Sequence, residues 1–223
     1  MKNNNSPIYG LICTNALYAF DFMVVAIAMP VIAKDLNAGP WYTISFGLFT
    51  LSALVGVLCS GKIIDEKGIN YSIKLSFSIL FFGFILSAIA FNYPMFLFGR
   101  SMQGIGSGAI ITTANAVINL RYTSKERPRI IATLNTAWVI PSLIAPGIGG
   151  LIIDFLNWQY IFWLQIPFCL ISALLLYIPN KNIKIQKTDK TNATKENNLF
   201  ILSLILIFAM GLILFALNLE NLI

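Results

Sequence analysis

The chain has 223 residues, of which 57% are hydrophobic and only 11% charged. A soluble domain of this size has no interior large enough for so much apolar side chain, so the solvent must be lipid. The net charge of +6 comes with no basic-aromatic module, which argues against a nucleic-acid partner.

Spanning a bilayer takes about 20 apolar residues. Seven runs qualify along the chain: Ile8–Ala33, Trp41–Ser60, Leu75–Phe91, Met95–Ile118, Ile131–Ile153, Tyr160–Ile178 and Leu199–Leu217. None alternates in the manner of a membrane strand, so helices must satisfy the backbone. The first run has no small-residue cleavage site after it and carries Asp21 in its middle. It therefore reads as a retained helix, not a signal peptide.

Basic residues fall in alternate connections. Lys62, Lys67 and Lys74 lie around the second, Arg121, Lys125, Arg127 and Arg129 around the fourth, and Lys181, Lys184, Lys187, Lys190 and Lys195 after the sixth run. The intervening connections are nearly bare. This bias predicts a cytoplasmic N-terminus.

Within the runs, chemistry concentrates at few positions. Asp21 is a carboxylate in an apolar helix, an expensive guest that by default faces a cavity or a partner. Arg100 is the basic residue inside a predicted span, roughly 8–10 Å from that helix's outer end at 1.5 Å per residue. Running the two helices in opposite directions places Asp21 and Arg100 at similar depth, and Gln103 near one turn deeper. A structural hydrogen-bonding role for Asp21 and a snorkelling Arg100 are the alternatives. Gly104, Gly106 and Gly108 make a small-residue face suited to close helix contact. Pro146 removes a backbone hydrogen bond within the fifth run and predicts a bend there. Gly147, Gly149 and Gly150 beside it predict a closely packed neighbour. Trp41, Trp158 and Trp163 fall at predicted boundaries and read as interface anchors. Cys13, Cys59 and Cys169 match no metal spacing and read as small packing residues. Histidine is absent, which excludes a histidine relay or His-ligated metal. No Ser-His, Cys-His or nucleotide loop points to an enzyme.

Five stretches, in order, resemble motifs of major facilitator superfamily transporters, in particular the fourteen-helix drug:proton antiporter branch. They are DFMVVAIAMP from Asp21 to Pro30, GKIIDEKG from Gly61 to Gly68, RSMQGIGSG from Arg100 to Gly108, APGIGG from Ala145 to Gly150, and WQYIF with LQIP from Trp158 to Pro167. The resemblance implies an all-α integral membrane fold: a six-helix N-terminal bundle of two inverted three-helix repeats (1–179), a basic cytoplasmic linker (180–198) and a seventh transmembrane helix (199–223). It implies proton-coupled efflux of small lipophilic or cationic molecules, with Asp21, Arg100 and Gln103 at the proton and substrate cavity. No cofactor is implied beyond the proton gradient. Gly61, Asp65, Lys67 and Gly68 would form a cytoplasmic gate, although Ile69 and Asn70 stand where basic residues are usual. The implied location is the bacterial inner membrane, with lipid, substrate and protons as partners. A second half is missing, so the chain reads as an N-terminal portion, with a C-terminal half or a periplasmic adaptor as further partner. Metabolite uptake by symport and a non-transporting truncated product remain open alternatives.

Overall fold

A computed structural model describes residues 6–181. The expected linker beyond Lys181 and the expected seventh helix at 199–223 lie outside the described residues. Six long helices account for nearly everything else: α1 (Ser6–Asp35), α2 (Ile44–Lys67), α3 (Ile69–Ala88), α4 (Tyr93–Arg121), α5 (Arg127–Phe155) and α6 (Gln159–Asn180). The shortest, α3, has 20 residues and is about 30 Å long, the thickness of a bilayer core.

Local chemistry sets the ends. Gly68 joins α2 to α3 at φ +88°, a left-handed backbone that a side chain would strain. Asn92 caps α4, its side-chain oxygen accepting from the Met95 amide at 2.8 Å. Before α5, the Glu126 carboxylate accepts from the Thr123 amide at 2.9 Å and its hydroxyl at 2.8 Å.

Among the described residues, five helices are long and apolar enough to cross a membrane; α4 is not one of them. The reason is its composition: α4 is rich in glycine, serine and threonine. It packs against both α2 and α3, with Gly104 and Gly108 against α2 and Gly106 against α3, while Phe98, Ile111 and Leu120 stay exposed.

The packing order has internal symmetry. α2 and α3 flank α4; α5 and α6 flank α1 in the same way; α3 packs on α6. Exchanging the first three helices with the last three leaves this pattern unchanged. Three passes separate equivalent helices, so the two triplets are inverted relative to each other, as transporter repeats are.

The two ends of the bundle differ. At one end, Arg121 Nε donates to Asn180 at 3.2 Å and Asn70 Nδ2 donates to the Lys181 carbonyl at 3.0 Å, tying α3, α4 and α6 together. At the other, Trp158 Nε1 donates to Asp35 at 2.7 Å and Tyr93 donates to the Trp41 carbonyl at 2.9 Å. The basic connections therefore gather at one end and the bare ones at the other.

Trp158 corrects an expectation. It is 3% exposed and sits edge-on to Phe96 and Phe162, so it is a core residue and not a lipid-interface anchor. Its indole has a partner inside the fold, and that removes the reason to seek headgroups. Trp163, 46% exposed, faces outward.

Candidate functional site

Asp21 and Arg100 meet in the interior. Arg100 Nη1 lies 3.1 Å from Asp21 Oδ2 and 3.3 Å from Oδ1, with Asp21 4% and Arg100 1% exposed. This is the one ion pair among the described residues. Two further contacts hold the arginine, and one of them is itself anchored. Its Nη1 also donates to Gln103 Oε1, and its guanidinium carbon stands 4.3 Å from the Phe49 ring centroid. Gln103 Nε2 donates to Gly83 O at 3.0 Å and to Ser87 Oγ at 2.9 Å. α3 therefore positions the glutamine, the glutamine positions the arginine, and the arginine faces Asp21 on α1. Among the described residues, Arg100 Nε has no hydrogen-bond partner.

Asp21 also borders open space. A cavity of about 160 Å³ is lined from α1 by Asn15, Tyr18 and Asp21, from α4 by Ser107 and Asn115, and from α5 by Asn135. That is well above the ~15 Å³ needed to hold one water. Asn15 additionally donates to the Leu134 carbonyl at 2.5 Å, which fixes α1 against α5. Asn15, Tyr18, Asn115 and Asn135 lie outside the five motifs, whereas Ser107 falls within RSMQGIGSG. A signal existed: Asn15, Tyr18 and Asp21 recur every three residues, which places them on one helix face, and amides inside apolar runs are costly unless they line a cavity.

The small residues divide into two groups. An added Cβ at Gly104 would meet the Phe49 carbonyl and Ser52, one at Gly108 would meet the Ala53 backbone, and one at Gly106 would stand 2.7 Å from Leu80 N. Gly56, on the facing helix, is equally constrained by the Ile105 carbonyl. On α5 only Gly149 has a near neighbour, the Val24 side chain at 2.8 Å. No described residue lies within 4 Å of a Cβ added at Gly147 or Gly150, so the close neighbour expected there is not among the described helices. α5 itself continues through Pro141 and Pro146 as one helix.

The expected gate residues lie at the basic end. Gly68 makes the α2–α3 turn, Gly61 stands inside α2 with open space beside it, and Lys67 places its ammonium 4.7 Å from the Tyr71 ring centroid. Asp65 is exposed. Among the described residues it forms no ion pair, and α3 has no side-chain cap.

The family model described as Major Facilitator Superfamily matches residues 11–221. The multidrug efflux pump SdrM of Staphylococcus aureus (strain N315) is 26% identical over 169 residues, 76% of this chain and 38% of that protein. The multidrug transporter protein MdtP of Bacillus subtilis (strain 168) is 30% identical, again over 76% of this chain but 31% of its own length. The chain thus spans about a third of these relatives. Among solved structures, the POT family transporter PepTSo superposes with a TM-score of 0.74 at 16% identity, over 83% of this chain and 40% of that one. That likeness establishes the fold.

Proposed function

Because the chain belongs to the Major Facilitator Superfamily, we propose that it supplies the N-terminal half of a proton-coupled exporter of small lipophilic or cationic molecules. Membership makes it a multi-pass membrane protein of a transporter family. Export is favoured by the multidrug efflux relatives. The observation that carries the proton step is Asp21: a buried carboxylate with one side on Arg100 and the other on a cavity.

In this reading, Asp21 alternates between two states. Ionised, it holds Arg100 and so draws α1 toward α4, the lead helices of the two triplets. A proton arriving through the cavity neutralises Asp21, removes most of that attraction and frees the arginine. Gln103 keeps Arg100 oriented meanwhile, through α3. Substrate in the cavity and proton on Asp21 would then favour different arrangements of the two triplets, which is what exchange requires. Gly61, Asp65, Lys67 and Gly68 would serve the gate at the basic end, with Asp65 meeting a partner outside the described residues. The basic end faces the cytoplasm, the membrane is the plasma membrane, and a C-terminal half completes the translocation path.

The test is transport into proteoliposomes under an imposed pH gradient, using the transporter that contains this chain and a lipophilic dye cation as probe. Asp21→Asn should abolish gradient-driven accumulation while dye still binds. Undiminished coupling in that variant would move the proton site elsewhere.

A further inference from the structure

On the outside of the bundle, α3 and α6 leave a groove of about 490 Å³ between them. The two helices run antiparallel. Asn70 meets Lys181, Lys74 meets Tyr177, and Phe77 meets Cys169. Apart from Lys74 and Ser78 the groove walls are largely apolar, with Phe77, Phe81 and Phe82 from α3 and Leu170 and Leu174 from α6. Phe82 and Leu174 are more than half exposed. In a membrane-spanning chain such a surface faces acyl chains.

Charge distinguishes this groove from an ordinary lipid-facing surface. Lys74 lines its mouth, with the ammonium 4.9 Å from the Tyr177 ring centroid. Lys181 follows the end of α6, and its carbonyl accepts from Asn70, one turn from Lys74 on α3. Both lysines are exposed. Neither α3 nor α6 carries an aspartate or glutamate anywhere along its length. Lys74 lies five residues from the start of α3, about 7.5 Å along the axis, so its amine reaches the headgroup layer by snorkelling.

We propose that this groove is a binding site for one anionic phospholipid, with an acyl chain along Phe77, Phe81 and Leu174 and the phosphate between Lys74 and Lys181. Seating the chain contributes little selectivity, because bulk lipid is as apolar as the groove. The two cations provide the discrimination between headgroups. The Tyr177 ring holds the Lys74 amine over the mouth, so the lysine is already oriented when the phosphate arrives.

The experiment is native mass spectrometry of the purified 223-residue chain in detergent, offered phosphatidylglycerol and phosphatidylcholine with identical acyl chains. One phosphatidylglycerol should be retained in preference. Lys74→Gln and Lys181→Gln should each lower that preference roughly fivefold, the usual worth of one lysine at an anionic surface. Leu174→Trp, at an exposed wall position that leaves the helix core intact, should displace the lipid by filling the groove. Millimolar inorganic phosphate should not displace it. Equal retention of the two lipids, preference unchanged in Lys74→Gln, or retention unchanged in Leu174→Trp would each overturn the proposal. So would high-yield disulfide formation between Phe82→Cys and a cysteine introduced at Phe208, because the groove would then be occupied by the chain's own C-terminal segment.

Discussion

Arg100 on α4 and Asp21 on α1 are 3.1 Å apart, across two helices that otherwise hardly touch. The ion pair is therefore the principal bond between the lead helices of the two triplets. Breaking a buried pair leaves one charge uncompensated, which costs on the order of 3–5 kcal/mol, whereas removing both charges costs far less. Arg100→Gln should accordingly destabilise the chain by that amount, and Asp21→Asn combined with Arg100→Gln should recover most of it. Thermal unfolding in detergent measures both, and a purely additive double variant would show that the two charges are not coupled.

The α2–α4 contact rests on backbone approach. Gly56→Ala and Gly108→Ala would each drive a Cβ into a facing carbonyl or backbone, an overpacking cost of roughly 1–3 kcal/mol. Gly147→Ala and Gly150→Ala meet no described residue within 4 Å and gain helix propensity, about 0.5–1 kcal/mol. Melting temperatures of the four variants should fall into two groups. Loss of stability at Gly147 would reveal a contact from residues beyond those described.

Three hydroxyls brace α2, α3 and α4. Thr113 Oγ1 lies 2.7 Å from Ser72 Oγ and 3.2 Å from Ser60 Oγ, and donates to the Ala109 carbonyl at 2.7 Å. Thr113→Val keeps the shape and removes its hydrogen bonds, at about 0.5–1.5 kcal/mol, because Ser60 and Ser72 still reach each other at 3.1 Å and Ser60 keeps the Ala109 carbonyl. Thr113→Ser keeps the hydroxyl and should cost clearly less. Denaturant titration of the two variants separates hydrogen bonding from packing.

Trp158 offers a graded test. Trp158→Phe retains the edge-on ring contacts but loses the 2.7 Å bond to Asp35, about 0.5–1.5 kcal/mol. Trp158→Ala empties a site that is 3% exposed, about 3–5 kcal/mol. Equal, small effects in the two variants would return Trp158 to the membrane interface.

The α4–α5 connection has an acid-side dependence. The Thr123 amide and hydroxyl hold the exposed Glu126 carboxyl below its ordinary value of 4.5. A lowered carboxylate contributes local stability that is present above the ordinary value and lost as pH falls through the folded one. Amide exchange of Thr123 and Arg127, corrected for intrinsic rate, should therefore lose protection on acidification below about 4.5. Thr123→Ala should flatten that dependence; an unchanged profile would remove Glu126 as its source.

Much of the architecture is legible in the residues themselves. Apolar length alone forces helices, because lipid offers backbone groups no partner. Alternating basic connections sort the two ends of the bundle, as Arg121 and Asn70 at one end and Trp158 and Tyr93 at the other show. The cost of a charge in hydrocarbon singles out Asp21 and Arg100 by residue type and position alone, and opposite helix directions put them at one depth. Tertiary structure decided the rest, since a helix sequence states which residues it carries but not which face meets which neighbour. That is why Trp158 turns inward to Asp35, why Gly149 touches Val24 while Gly147 and Gly150 touch nothing described, and why Asn115 and Asn135, far apart in sequence, share a cavity with Asp21. Membrane cost identifies the residues that need a partner; only the packing of the helices supplies one.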